Sequence, residues 1–177
     1  MKNRDIRWFL VLLANGLFIW LNALANHHLA PFAVHLYLGG ALVTYSALRL
    51  DFRHGLIAVA LTGLAFDALE PVPFGTHIVF LGIIHATLHS GRRQFPRDEP
   101  IFATVVALIA NLFLFLALSF LLVGANPRPG EAWLRLFVDL LASQIVIAVV
   151  MPWFMSLNGH LLARANLNPE TGRRVEL

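Results

Sequence analysis

Apolar residues in this chain form six runs that are separated by short polar segments. A helix needs about 20 apolar residues to cross the hydrocarbon core of a bilayer, with a range of roughly 17–25. None of the runs alternates apolar and polar residues with a period of two, so they indicate helices rather than the strands of a barrel. The pattern predicts a single all-α integral membrane domain over residues 1–163, with transmembrane helices at about 8–25, 29–48, 55–69, 75–89, 101–124 and 132–157.

Two details qualify this pattern. The polar break Asn26-His27-His28 separates the first two runs, and the turn 70–73 joins the third and fourth runs, which are short. Pro152 lies inside the sixth run, where a proline is expected to kink the helix or end its regular part.

Composition supports the membrane assignment. The chain is 58% hydrophobic and only 13% charged, with a mean hydropathy of +0.72, whereas soluble domains are about 45–50% apolar and about 25% charged. There is no cysteine, which excludes disulfides, thiolate nucleophiles and cysteine metal sites.

Basic residues predict the orientation. With six helices, eleven of the thirteen Lys and Arg residues fall on one side, which the positive-inside rule makes cytoplasmic. These eleven are Lys2, Arg4, Arg7, Arg49, Arg53, Arg92, Arg93, Arg97, Arg164, Arg173 and Arg174, while Arg128 and Arg135 fall on the other side. Both termini are therefore predicted inside, and residues 164–177 form a short cytoplasmic tail. Because the basic residues occupy short loops, the charge indicates membrane topology rather than nucleic-acid binding.

A cleaved signal peptide is the alternative for the N-terminus. Ala23-Leu24-Ala25 resembles a cleavage site after a basic start. The apolar stretch is long for a signal peptide and contains Asn15 and Asn22, so an uncleaved first helix is preferred.

Charged groups at membrane depth are the first candidates for function, because each is costly to bury. Asp67 lies near the outer end of the third helix, at a depth similar to that of His77 in the fourth. Asp67 either binds a partner helix, an ion or a substrate, or it has a structural role, in which it caps the helix end or hydrogen-bonds to the backbone of the following turn. Arg135 and Asp139 are four residues apart, a spacing that favours an intramembrane ion pair.

Histidines and polar side chains elsewhere indicate helix contacts rather than chemistry. His85 and His89 are four apart and could share a metal ion, but no glutamate lies between them and no cysteine completes a site. We predict no metal, no cofactor and no catalytic residue, and an enzyme using these two histidines is a distant option. Polar residues expected to join helices are Asn15, Asn22, His35 and Asn111.

Residues 63–75 resemble the signature of a known family, and their sequence is G-L-A-F-D-A-L-E-P-V-P-F-G. This stretch is similar to the central signature of the MreD family of rod shape-determining membrane proteins. Gly63 is followed four residues later by Asp67, then by an apolar pair, a short turn and a pair that opens the next helix. That pair is Phe74-Gly75 here, where the family usually has Leu-Gly. The number and order of the helices and the basic loops also resemble the family.

The resemblance implies a non-enzymatic scaffold of the bacterial cell-elongation machinery in the cytoplasmic (inner) membrane. It implies binding to MreC, and through MreC to MreB and the peptidoglycan synthases. The family's fold resembles the substrate-binding component of energy-coupling factor vitamin transporters. On this resemblance, Gly63, Asp67, Phe74 and Gly75 form a partner-binding or structural motif. Self-association stays open.

The second functional interpretation is that the chain is itself the substrate-binding component of such a transporter. Size and helix number do not separate the two. Such components typically carry a small-residue A-x-x-x-A motif in the first helix, but here Ala14 is followed four residues later by Phe18.

Overall fold

The computed structural model describes residues 6–92, 100–123 and 129–165, and this part of the chain consists of helices and their connections, without a strand. The all-helical prediction is therefore confirmed for the described residues. The helices are α1 (Arg7–Leu29), α2 (Gly39–Arg49), α3 (Phe52–Asp67), α4 (Thr76–Gly91), α5 (Pro100–Val123) and α6 (Pro129–Arg164), with a short 3₁₀ helix at Ala30–Phe32.

Within the described residues, three segments are long and apolar enough to cross a membrane: Arg7–Phe32, Ile101–Val123 and Ala132–Arg164. The other helices are shorter. With a rise of about 1.5 Å per residue, the 11 residues of α2 span about 16 Å, against a hydrocarbon core of about 30 Å. Six full spans therefore stay a prediction.

Large apolar side chains cover the outside of the long helices. Single exposed apolar residues are normal in any protein, but a continuous apolar surface indicates contact with lipid or another protein. On α5 and α6 the exposed side chains include Ile109, Phe113, Phe120, Phe137, Ile145, Val149 and Trp153.

The second predicted helix, residues 29–48, is wrong in its first half. Helix α1 continues through the predicted polar break to Leu29, and residues 33–38 are not helical before α2 begins at Gly39. Local chemistry accounts for the break. Pro31 lies within the 3₁₀ turn, and Ala33 follows it in the left-handed conformation with φ 55°, which interrupts an α-helix.

Helices α3, α4 and α5 follow the prediction to within three residues at each end, whereas α6 begins three residues early and continues past Pro152 to Arg164. The proline therefore does not end this helix. The predicted tail beyond residue 165 lies outside the described residues. So do seven of the residues used for orientation: Lys2, Arg4, Arg93, Arg97, Arg128, Arg173 and Arg174.

Helix α2 forms the centre of the molecule. Every residue from Gly39 to Leu48 is buried, as expected for a short helix that is surrounded by others. Gly40 allows the closest approach, because a Cβ there would collide with the backbone of α5 at Ala107 and Asn111. Helices α1, α3, α4, α5 and α6 all contact α2. A fixed α2 in turn sets the position of the extended residues that precede it.

Buried polar side chains join α1 to this centre, as the sequence predicts for Asn15 and Asn22. The amide of Asn15 donates to Thr62 Oγ1 of α3 at 2.9 Å, and the amide of Asn22 donates to the carbonyl of Leu36 at 3.3 Å. Both asparagines are buried, so the polar face of α1 is directed inward.

Candidate functional site

Polar groups concentrate at one end of the molecule, which we call the distal end. There α1, α3 and α5 finish and α2, α4 and α6 begin. Two connections meet at this end: the extended segment, residues 33–38, and the α3–α4 turn, residues 68–75. The predicted motif and the predicted ion pair both lie here.

Asp67, the last residue of α3, accepts the hydrogen bonds that hold the α3–α4 turn. Its Oδ2 accepts the backbone N–H of Gly75 at 2.8 Å. Its Oδ1 accepts the backbone N–H of His77 at 2.9 Å and lies 2.8 Å from His77 Nδ1. The Asp67 side chain is 0% exposed. Of the interpretations offered for Asp67, this geometry corresponds to bonding with the backbone of the following turn, where the carboxylate satisfies N–H groups at the start of α4 and complements the helix dipole.

Each of the two glycines of the motif is required by a different feature of the backbone. Gly75 has φ +96°, a conformation that favours glycine, and it occupies the position that precedes α4. At Gly63, a Cβ would lie 2.8 Å from the backbone of Ile78. Glycine at this position therefore lets α3 and α4 touch through their backbones.

Phe74 behaves differently from the rest of the motif. Its side chain is 72% exposed, and that of Leu69 in the same turn is 60% exposed. The buried part of the motif thus fixes a turn that exposes two large apolar side chains. Such side chains are available to a partner or to lipid.

His77 connects the turn to an aromatic cluster. Its ring stacks on Phe66 with centroids 5.1 Å apart, and it lies 5.8 Å from the ring of Tyr37. Both His77 and Tyr37 are buried. Neither His77 Nε2 nor the Tyr37 hydroxyl has a hydrogen-bond partner in the described part of the chain. Buried polar atoms of this kind are uncommon and require an explanation.

The extended segment is held by side chains from α1 and α6. The N–H of His35 donates to Asp139 Oδ1 at 2.8 Å, and the N–H of Tyr37 donates to Ser143 Oγ at 2.9 Å. Between them, the N–H of Leu36 donates to Asn26 Oδ1 at 2.7 Å. Non-helical backbone inside a helical bundle needs such partners, because a buried N–H without an acceptor is costly.

Sequence reasoning missed this arrangement. A signal does exist in pairs of polar residues four apart, which share one helix face: Asn22 and Asn26 on α1, and Asp139 and Ser143 on α6. Asn111 fulfils its predicted role as a helix-joining residue, because its Oδ1 accepts the N–H of Gly40 at 3.1 Å.

The predicted ion pair between Arg135 and Asp139 is not formed. Both side chains line the same cavity, but Asp139 is turned towards the backbone of His35. The guanidinium of Arg135 has no hydrogen bond or ion pair within the part of the chain that the structure describes. Asp139 accepts the N–H of His35 instead of pairing with Arg135, because a buried N–H without an acceptor is costly.

The side chain of His35 contacts Glu70 in the α3–α4 turn rather than joining two helices. His35 Nε2 lies 3.1 Å from Glu70 Oε1, which ties the extended segment to the α3–α4 turn. The predicted place of His35 inside the second helix is wrong, because that part of the chain is not helical.

A cavity of about 1040 Å³ opens between these elements. Its polar wall comes from the extended segment, the turn and α6, and its apolar wall from α5 and α6. The polar lining residues are His35, Tyr37, Glu70, His77, Ser119, Arg135 and Asp139. The apolar ones include Leu69, Val72, Phe115, Leu118, Leu122 and Leu136. Ligand pockets typically measure about 300–1,000 Å³, so the space is sufficient for a small molecule.

The histidine pair of α4 lies away from the distal end. His85 is buried beside Gly55 of α3, and its Nε2 is 3.3 Å from the carbonyl oxygen of Phe52. The rings of His85 and His89 are 5.7 Å apart. Among the described residues no group of three or more His, Cys, Asp or Glu could hold a metal ion. His85 thus packs between helices.

Comparison of this chain with known protein families, curated proteins and solved structures found no match.

Proposed function

We propose that this chain is a six-span, N-in/C-in protein of the bacterial cytoplasmic membrane. It acts as a non-enzymatic scaffold of the cell-elongation machinery. Its partner is MreC, and through MreC it reaches MreB and the peptidoglycan synthases. The proposal rests on the resemblance of residues 63–75 to the MreD family.

The geometry of Asp67 is the observation that supports the scaffold function best. Both carboxylate oxygens are occupied by groups of the chain itself, so Asp67 does not bind a substrate or an ion in this arrangement. The charge instead fixes the shape of the turn. A motif that fixes shape and displays apolar side chains is typical of a binding surface.

Phe74 and Leu69 are the proposed contact residues for MreC. They lie on a turn that is fixed at both ends, by Asp67 and by the contact of His35 with Glu70. A preorganised turn loses little conformational freedom on binding, which favours affinity. The predicted orientation places this turn on the periplasmic side.

Affinity purification of the tagged protein from its own membranes tests this function. We expect MreC and a peptidoglycan synthase to be recovered, and we expect Phe74→Ala to reduce the recovery of MreC. Phe32→Ala is the matched control, because Phe32 is also at the distal end and is 74% exposed, but it lies in a different connection. Equal recovery with both variants would place the interface elsewhere.

The cavity favours a second candidate, the substrate-binding component of an energy-coupling factor transporter. Its opening at the distal end is where an outside substrate would enter. The first helix lacks the small-residue docking motif of such components, because Ala14 is followed four residues later by Phe18, and Ala14 itself is buried. Recovery of two ATPases and a coupling membrane subunit in the same purification would establish this second function instead.

A further inference from the structure

The distal cavity has a distribution of charge that the scaffold function does not use. Arg135, Asp139, Glu70 and His35 all line it. Of these, Glu70 is occupied by His35, and one oxygen of Asp139 is occupied by the backbone of His35. Arg135 makes no hydrogen bond or ion pair with another described residue. Arg135 and Asp139 lie on one helix face and are not paired with each other, so they are available to the oppositely charged groups of one ligand.

Apolar surface occupies the rest of the cavity. Along α5 the lining runs from Val123 to Phe115, and along α6 from Ala132 to Asp139. Eight helical residues correspond to a depth of about 12 Å. The inner end is aromatic, because Tyr37 and Phe115 face each other with ring centroids 6.3 Å apart. The charged side chains lie on the polar wall beside this apolar surface.

We propose that this cavity binds a small amphipathic zwitterion. Its anionic group pairs with Arg135, its ammonium group lies by Asp139, and its apolar part rests against α5 and the aromatic floor. A guanidinium is well suited to carboxylate or phosphate, which it binds through two parallel hydrogen bonds. The carboxylate of Asp139 favours a cation one helical turn away, so a purely anionic or purely cationic ligand satisfies only half of the site.

Two kinds of molecule carry this chemistry: a zwitterionic phospholipid that enters from the bilayer and a free aromatic amino acid. The inference does not rest on the scaffold function, because Phe74, the residue that tests MreC binding, does not line the cavity, although Leu69 of the same turn does. Loss of MreC binding would leave it intact.

Native mass spectrometry of the full chain in detergent tests the proposal. The probes are dihexanoyl phosphatidylethanolamine for the lipid source and L-phenylalanine for the free source. Dihexanoyl phosphatidylglycerol is the anionic comparison, and benzylamine is the cationic one. We expect saturable one-to-one binding of one zwitterionic probe and weaker binding of both comparison compounds. Which zwitterion binds identifies the source.

Variants separate the charge effect from folding. Arg135→Gln removes the cation, and Asp139→Asn removes the charge but keeps the oxygen that accepts the N–H of His35. Each should weaken zwitterion binding about tenfold to a hundredfold, the effect of losing one charge-assisted hydrogen bond of about 1.5–3 kcal/mol. Arg164→Gln is the matched control, because Arg164 is an exposed arginine in the last turn of the same helix.

The thermal unfolding of each variant is measured alongside, and binding is compared only among variants that unfold as the parent does. Three results would overturn the proposal. They are no saturable binding of either zwitterion, equal affinity for phosphatidylglycerol, or equal losses for Arg135→Gln and Arg164→Gln.

Discussion

Replacing Asp67 with alanine gives the sharpest test of how the α3–α4 turn is held. The change removes the acceptor for the N–H groups of Gly75 and His77 and for the ring nitrogen of His77, which lie 2.8, 2.9 and 2.8 Å from the carboxylate. Each buried donor left without an acceptor costs about 1–3 kcal/mol. Because the turn can relax, we expect a total loss of about 3–5 kcal/mol, similar to breaking a buried charged pair.

Two further variants show how much of this loss of stability comes from the Asp67 carboxylate. Asp67→Asn keeps one acceptor oxygen but places an NH₂ group opposite a backbone N–H, so it should cost about 1–2 kcal/mol. Asp51→Ala is the matched control. Asp51 is an exposed aspartate that precedes α3, and its side chain makes no capping hydrogen bond. Its loss should change stability by no more than about 0.5 kcal/mol.

The free energy of unfolding is measured by titrating the micelle-embedded protein with a denaturing detergent and following tryptophan fluorescence, since the chain has four tryptophans. The expected order of destabilisation is Asp67→Ala, then Asp67→Asn, then Asp51→Ala. If Asp67→Ala were no more destabilising than Asp51→Ala, the carboxylate would not hold the turn and the structural role of the motif would be wrong.

Three other predictions concern the distal end and its supports. Gly63→Ala should destabilise the protein by about 1–3 kcal/mol, because its Cβ would meet the backbone of α4 at 2.8 Å; Gly82→Ala, with nothing within 4 Å, should be neutral or slightly stabilising in the same unfolding assay. Gly75→Ala should cost about 1–2 kcal/mol because φ is +96° there, and a loss below that of Gly82→Ala would contradict the assigned conformation. Glu70→Ala should lower the free energy of unfolding by about 0.5–1 kcal/mol, because it removes the acceptor that lies 3.1 Å from His35 Nε2 in a partly exposed pair. Stability equal to that of Gly82→Ala would contradict the pairing.

The sequence predicts the long helices well because their signal is local. Helix α5 begins and ends within one residue of the predicted bounds, since an uninterrupted apolar run of that length has few alternatives to a helix. The inward direction of Asn15 and Asn22 also follows from their spacing. Which atoms they bond to does not, because their partners Thr62 and Leu36 lie in other segments.

The extended segment could not be predicted from its own residues. Residues 33–38 are mostly apolar and read as the first half of a helix. Their conformation depends on acceptors far along the chain: His35 and Asp139 are 104 residues apart, and Tyr37 and Ser143 are 106 apart. For the same reason the helical spacing of Arg135 and Asp139 does not decide their pairing, because Asp139 accepts the N–H of His35. Helical spacing shows that two side chains can meet, but a competing backbone donor decides whether they do.

The proposed function assigns Phe74 to the contact with MreC, and the neighbours of this side chain in the membrane are the most direct test of that function. A photo-crosslinking amino acid is introduced at position 74 of the full chain, and in a separate sample at position 32, and the native membranes are irradiated before extraction. We expect position 74 to crosslink to MreC and position 32 not to do so. Crosslinks from position 74 to lipid alone, or to the coupling subunit of a transporter, would contradict the scaffold function.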